Sequence, residues 1–267
     1  MVTRARLDAE LVRRGLARSR QQAAELIEQG RVAIRGVPAG KAATVVDRDT
    51  PVTVHESGER EWASRGAHKL IGALDHFGDV EVGAARCLDA GASTGGFTDV
   101  LLDRGAAAVV AVDVGYGQLV WRLRADDRVQ VHDRTNVRAL GPDDIGGPVD
   151  LTVADLSFIS LRSVLPALTA CTRPGGELLP MVKPQFEVGR DRLGSGGVVR
   201  DPALRRAALG DVAAAGRALG LVLRGAVASP LPGPSGNVEF FLRLVRDVGS
   251  ADVGDAVLDR AVEEGPQ

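Results

Sequence analysis

The chain has 267 residues, 45% of them apolar, and a formal net charge of -2, long enough for a small domain plus a medium one and apolar enough for packed cores. Its two cysteines, Cys87 and Cys171, lie far apart with no C-x-x-C or metal-like spacing, which argues against a disulfide scaffold or a zinc site, so no metal is expected. No run of ~18 apolar residues could span a bilayer and the N-terminus lacks a secretory apolar stretch, so a soluble cytoplasmic protein with no membrane partner is expected.

The charge is unevenly placed. The first 41 residues hold nine Arg or Lys against four Asp or Glu, and the remainder holds 24 against 31. A basic headpiece on an acidic body predicts that a polyanionic partner is gripped by the N-terminal segment. There, Leu7, Leu11, Val12 and Leu16 fall at helical spacing up to a stop at Gly15, and Ser19 is placed to cap a second helix carrying Ala23, Ala24, Leu26 and Ile27 and ending at Gly30. The β-prone segments RVAIRG and PVTVHES follow. Arg4, Arg6, Arg18 and Arg20 flank the helices and Lys41 sits in the loop between the strands. This small α/β unit, residues 1–59, resembles the S4 RNA-binding domain through LVRRGLARSRQQAAELIEQGRVAIRG. The resemblance implies that these five cations meet structured RNA, through phosphate and shape more than base edges.

Residues 60–66 read as a polar, glycine-punctuated linker in which Trp62 packs at a domain junction, and a helix is expected over 67–77. From residue 85 the chain alternates between strands in RCLDAG, AAAVVAVDVG, RVQVH, VDLTVADLSF and GGELLPMVKP and helices after GGF, from Gln118, up to Ala170 and over 202–218, with later strands in LVLRGAVASP and NVEFFLRLV. That order predicts a doubly wound, parallel α/β sheet with ligands at the carboxyl ends of its strands.

The segment DAGASTGGF supplies Asp89, Gly91, Ala92, Ser93, Gly95, Gly96 and Phe97 as a loop whose glycines let backbone approach a ligand ahead of free helix N–H groups. Its G-x-x-x-G-G spacing differs from the G-x-G-x-x-G of nicotinamide enzymes. Asp113, ending the second strand, suits ribose hydroxyls, and Asp89 suits a ligand with a positive centre. Together they favour S-adenosylmethionine over NAD, with Asp155 and Phe158 of ADLSF completing the cofactor side.

Thirty arginines accompany only three lysines, Lys41, Lys69 and Lys183, and the two cations are not interchangeable where an amine must lose a proton. Lys69 and Lys183, with Asp155 and Glu239, resemble the Lys-Asp-Lys-Glu tetrad of RrmJ/FtsJ-type ribose 2'-O-methyltransferases. The alternative, separate surface ion pairs, would contribute little stability. SRGAHK, LDAGASTGGFT, DVGYGQL, VADLSFISL, VKPQFEVG and SPLPGPSGNVEFF extend the likeness, and from about residue 3 to 246 the chain resembles the TlyA family of ribosomal RNA 2'-O-methyltransferases, also described as haemolysins. The resemblance implies a Rossmann-like class I methyltransferase domain over 67–247; the tail over 248–267 lies beyond it and is weakly patterned, with a short helix expected in AVLDRAVEEG. It further implies S-adenosylmethionine as cofactor and methylation of cytidine ribose in 16S or 23S RNA, with ribosomal subunits as partner. In an in-line displacement Lys183 is expected to orient the 2'-oxygen, and to take its proton only where Lys69 and partial burial leave a neutral amine. A monomer is expected. The rival classes are a non-catalytic RNA-binding or ribosome-assembly protein, which needs no tetrad, and a membrane-lytic protein, for which no amphipathic or spanning segment is found.

Overall fold

The computed structural model describes residues 4–35, 37–54, 62–233, 235–246, 249 and 251–265, and the chain separates after residue 61 into two compact units. Residues 60 and 61 of the expected linker, 55–57 of the expected strand and 247, 248, 250, 266 and 267 at the C-terminal end lie outside the described residues.

In the first unit, β1 (Arg4–Arg6) runs into α1 (Leu7–Arg13), followed by α2 (Arg20–Glu28), β2 (Val32–Ile34), β3 (Val37–Pro38), β4 (Val45–Asp47) and β5 (Val52–Val54). Ser19 caps α2, its Oγ accepting from the Gln22 N–H at 3.1 Å. Gly15 and Gly30 follow the two helices at φ of +71° and +70°, the left-handed conformation that ends a helix without a Cβ penalty. β2 pairs antiparallel with β3 and β5, and the helices cover this ladder with Leu7, Leu11, Ala23, Leu26 and Ile27. The β1–β4 pairing has no sequence signal, because Arg-Ala-Arg is too short and too polar to show a period of two.

The second unit contains α3 (Gly66–Phe77), β6 (Arg86–Ala90), α4 (Gly96–Asp103), β7 (Ala108–Val112), α5 (Trp121–Arg124), β8 (Val129–His132), β9 (Val149–Ala154), α6 (Leu165–Cys171), β10 (Thr172–Val182), α7 (Pro184–Glu187), α8 (Pro202–Ala218), β11 (Val222–Ala228), β12 (Phe240–Val245) and α9 (Ala256–Glu264). The strands form one sheet in the order β11-β12-β10-β9-β6-β7-β8. β10, β9, β6, β7 and β8 run parallel to one another, as the alternation of strand and helix predicts. β12 does not. It lies antiparallel to both β10 and β11, because the described residues between 229 and 239 form no helix and so supply no crossover that could return the chain in parallel. α5 is also shorter than the expected helix, a single turn.

Strand side chains alternate between two cores. Leu88, Val110, Leu178, Phe240 and Leu242 face α6, α8 and α9, whereas Cys87, Val109, Leu151, Met181 and Phe241 face α3 and α4. Cys87 and Cys171 are buried free thiols on opposite sides of the sheet. Trp62 packs against the second of these cores.

The C-terminal segment closes the outer strand. Val253 N–H donates to Leu223 O at 3.1 Å, and Asp252 Oδ2 accepts from Leu223 N–H at 3.2 Å. Arg217 bridges to Asp252 at 2.9 Å and Arg206 to Asp259 at 2.5 Å. α9 then buries Leu258, Ala261 and Val262. An edge strand covered in this way is protected from pairing with other chains. Leu258→Ala should therefore lower the unfolding free energy of this unit by about 3 kcal/mol, read by urea denaturation followed through Trp62 and Trp121.

Candidate active site

Sheet register decides where the charged groups meet. In the parallel pair Ala154 stands opposite Pro180, and in the antiparallel pair Val182 stands opposite Phe240. Asp155 and Lys183 therefore follow the ends of β9 and β10, and Glu239 precedes the start of β12, all at the carboxyl edge of the parallel strands. Lys69 arrives from α3, which lies so close to the sheet that a Cβ on Gly72 would stand 2.7 Å from Pro230 and one on Gly225 2.9 Å from Phe77.

The four groups form two ion pairs. Lys69 Nζ lies 2.5 Å from Glu239 Oε2, with Lys69 only 5% and Glu239 1% exposed. Glu239 Oε1 is buried without a hydrogen-bond partner, and a Cβ at Gly233 would stand 2.5 Å from it, so the loop before β12 leaves this oxygen room by having no side chain there. Lys183 Nζ lies 2.6 Å from Asp155 Oδ1 and donates to Ser157 Oγ at 2.9 Å. Lys183 is buried, while Asp155 is about a quarter exposed. An ammonium carries three N–H donors. With Asp155 and Ser157 taking two, one donor of Lys183 remains for a third acceptor.

The glycine loop packs against the same edge. Gly91, at φ +91°, lies where a Cβ would be 2.5 Å from the Asp155 carbonyl oxygen, and Gly95 reaches φ +101° as the N-cap of α4. Ser93 also takes a positive φ, +49°, and its N–H donates to Asp113 Oδ2 at 2.9 Å, while Asp113 Oδ1 accepts from Gly115 N–H at 2.7 Å. Asp113 thus joins the loop after β6 to the turn after β7. Ala92 is buried beneath the loop, and Gly96 forms the first residue of α4, whose opening N–H groups have no intrahelical acceptor. Phe97 is different: its ring is buried 5.9 Å from that of Phe241, so the side chain belongs to the core and only its backbone borders the loop.

Asp89 is fully buried at the end of β6. Its Oδ2 accepts from Thr98 Oγ1 at 2.7 Å and its Oδ1 has no partner. Burial pushes its carboxyl up to about 7, against the lowering effect of the Thr98 hydroxyl. Phe158 is 91% exposed at φ +63°, its ring 5.3 Å from that of Phe186, so an aromatic face stands open three residues beyond Asp155.

In the first unit, Arg4 pairs with Asp47 at 3.3 Å, Arg6 and Arg20 both reach Asp8, and Arg18 and Lys41 are exposed. Sequence reasoning passed over Ser157, Gly233 and Asp8. Ser157 lies inside the ADLSF segment and Gly233 inside SPLPGPSGN, but serine and glycine there carry no distinctive pattern. Asp8 falls on the helical face that also carries Leu7 and Leu11, and a lone acid in a helix signals nothing by spacing.

Residues 62–246 match the FtsJ-like methyltransferase family and residues 5–52 the S4 domain. The chain is 61% identical over 270 residues, covering all of both proteins, to the 16S/23S rRNA (cytidine-2'-O)-methyltransferase TlyA of Mycobacterium tuberculosis. It is 34% identical to Hemolysin A of Brachyspira hyodysenteriae over 90% of this chain and 99% of that one. A solved structure from Streptococcus thermophilus, also named as a hemolysin, is similar at a TM-score of 0.77 and 36% identity, covering 99% of this chain and 96% of the other. Among the described residues no helix is long and apolar enough to cross a membrane.

Two outcomes follow from the buried charges. Lys69→Met leaves Glu239 buried without its cation and should cost about 3–5 kcal/mol of unfolding free energy, whereas the double variant Lys69→Met/Glu239→Leu should recover most of that loss; a urea-denaturation cycle over the four proteins reads the coupling. For Asp89, a folded-state value of about 7 against 3.8 unfolded means the native state holds a proton that the unfolded chain releases in between. Its contribution is complete at low pH and is lost as the pH rises through about 7. Asp89→Asn should flatten the fall in urea midpoint between about pH 4 and about pH 7.

Proposed function

That the chain belongs to the TlyA family of FtsJ-like methyltransferases is the premise from which we propose its activity: transfer of a methyl group from S-adenosylmethionine to the 2'-oxygen of cytidine in ribosomal RNA, with 16S and 23S RNA both candidate substrates. The observation that carries the proposal is the pair of lysine–carboxylate contacts gathered at one sheet edge beside the glycine loop. A protein that only binds RNA has no use for buried ammonium groups there, since removing two charges from water is costly unless they serve a purpose.

The cradle fits the cofactor. Gly91 and Gly95 adopt left-handed backbone beside free N–H groups of α4, Asp89 keeps an unpartnered carboxylate oxygen, and Asp113 stands at the end of β7 within reach of the loop. Asp89, Gly91, Ala92, Ser93, Gly95, Gly96 and the Phe97 backbone would hold S-adenosylmethionine, Asp113 would take its ribose hydroxyls, and Asp155 and Phe158 would border its reactive end. When bound, the cofactor supplies an electrophilic methyl on a positively charged sulfur.

The chain's own groups act on the incoming ribose. Asp155 and Ser157 hold the Lys183 amine in one orientation, with its remaining valence directed to the 2'-oxygen. Lys183 orients that oxygen and, in its unprotonated amine form, takes the 2'-hydroxyl proton onto the nitrogen lone pair as the oxygen–methyl bond forms and the methyl–sulfur bond breaks. Lys69 and Glu239, buried together, place a second donor and an unpartnered acceptor beside it. Fixing the attacking oxygen in line with the methyl supplies much of the rate, as positioning does in displacement reactions. The exposed Phe158 ring offers an apolar face to an unpaired base. Arg4, Arg6, Arg18, Arg20 and Lys41 of the S4 unit bind the RNA backbone.

Incubation with tritiated S-adenosylmethionine and purified ribosomal subunits, followed by mapping of ribose methylation, tests the activity; RNA that binds but gains no label would leave a non-catalytic RNA-binding protein. Lys183→Arg, which cannot be deprotonated, should bind both substrates within a few fold of wild type yet lose methyl transfer by about 10²–10⁴. Turnover retained within a few fold would remove Lys183 as the proton acceptor.

A further inference from the structure

Two buried acids lie one turn or less apart in α1, and the arginines around them behave differently. Glu10 accepts from Arg13 at 2.5 Å and from Arg14 at 2.7 Å. Arg14 then spends its remaining donors on backbone, reaching Thr50 O at 2.8 Å and Arg48 O at 2.7 Å. That network ties α1 to the loop after β4 through the largely enclosed Arg14, with Arg13, its side chain 47% exposed, as its outer arm.

Asp8 is arranged otherwise. It is only 4% exposed, yet it carries two arginines whose side chains are 50% and 60% exposed. Arg6 Nε and Nη2 donate to its Oδ1 and Oδ2, both at 3.1 Å, and Arg20 Nη2 donates to Oδ2 at 2.9 Å. Ala9 N–H donates to Oδ1 at 2.8 Å and fixes the carboxylate against the first turn of α1. Arg6 precedes α1 and Arg20 opens α2, so a single acid draws together two cations that are fourteen residues apart in the chain. Each guanidinium has five N–H donors. Asp8 occupies two on Arg6 and one on Arg20, and the rest of both half-exposed forks is left for another acceptor. One carboxylate between two guanidiniums leaves a net positive pair, and Arg6 holds the Asp8 carboxyl well below the usual carboxylate range, so it stays charged at any working pH.

We propose that Asp8 is a positioning residue for RNA binding: it holds Arg6 and Arg20 side by side as a preorganised two-arginine clamp that takes one phosphate group of the RNA backbone between them. This rests on the reading that the S4 unit binds ribosomal RNA. Preorganised forks bind phosphate in bidentate geometry, and holding both rotamers in place before binding avoids the entropy of ordering two long side chains on association.

The proposal makes a prediction opposite to simple charge counting. Asp8→Asn removes a negative charge from a basic surface, so undirected electrostatics would tighten its grip on any RNA. The clamp instead requires affinity for purified ribosomal subunits to fall about tenfold, the scale of one lost charge-assisted contact, while binding to a single-stranded homopolymer is unchanged or tighter. Arg6→Ala and Arg20→Ala should each weaken subunit binding by a similar factor, and Asp8→Asn added to the double arginine variant should cost nothing more. A purely structural acid would carry its penalty into that background, and that result overturns the proposal, as does wild-type or tighter subunit binding by Asp8→Asn alone. If the arginine variants bind subunits as wild type does, the reading of the S4 unit itself fails, and the clamp with it. Arg20→Lys keeps both the charge and Asp8 but replaces the planar fork by a single nitrogen that cannot meet phosphate in bidentate geometry while holding the carboxylate. It should bind subunits several-fold more weakly with an unchanged melting temperature, and full affinity would count against the clamp without any change to the buried acid.

Discussion

The catalytic edge depends on an unfavourable act, the removal of two ammonium groups and a carboxylate from water, made tolerable only by pairing. Lys69 and Glu239 are each almost wholly enclosed and 2.5 Å apart. Replacing such a pair by apolar side chains is commonly neutral or stabilising, so stability does not account for it. What the pair provides is a fixed local field and an oxygen, Glu239 Oε1, that no group among the described residues satisfies. The rest of the unit is arranged to bring these charges together. β12 turns back antiparallel to place Glu239 beside the end of β10, Gly72 and Gly225 let α3 lie close enough to deliver Lys69, and Gly233 leaves the free oxygen unobstructed.

The second pair is held more loosely, which suits the role proposed for it. Asp155 remains partly open to solvent, and Lys183 has a hydroxyl, Ser157, as its other partner. A lysine held by one carboxylate and one neutral acceptor keeps a donor to spare. A lysine locked between two carboxylates would not. The glycine loop touches this pair directly, since the Gly91 α-carbon lies against the Asp155 backbone and Asp155 N–H donates to Ala90 O at 3.0 Å. The glycine loop and the Lys183–Asp155 pair are therefore adjoining strand ends of one sheet, and residues on such elements hold their geometry better than residues on free loops.

Much of this was legible in the sequence, for identifiable reasons. The strand–helix alternation from residue 85 announces a parallel sheet because a parallel connection needs a crossover, and glycine clusters at a strand end announce a close backbone approach. Ser19 announces the start of α2 through the one hydrogen bond its hydroxyl makes. The reversal of β12 is less visible, because a strand's apolar alternation is the same in either direction and only the short, proline-rich connection SPLPGPSGNVE betrays it. The assignment of Phe97 to the cofactor loop reflects a similar blindness: the motif locates the residue, but whether its ring faces ligand or core depends on Phe241, 144 residues further on. Asp8, Ser157 and Gly233 act through single contacts to residues brought near by folding, and no spacing rule encodes those.

The scarcity of lysine acquires its meaning from the structure. Thirty positions that need a cation use arginine, and many of those seen here are half-exposed pairs such as Arg6 and Arg20 with Asp8, where a planar, permanently charged fork is the better group. Two of the three lysines are instead buried at the sheet edge, each against a carboxylate at 2.5 or 2.6 Å. A guanidinium at either place would be larger, would demand more acceptors than the enclosure offers, and could never present a lone pair. On the proposed function the S4 unit grips a polyanion and can use arginine throughout, whereas the sheet edge handles a proton and cannot. The division between the two cations along the chain is then a division between holding RNA and acting on it.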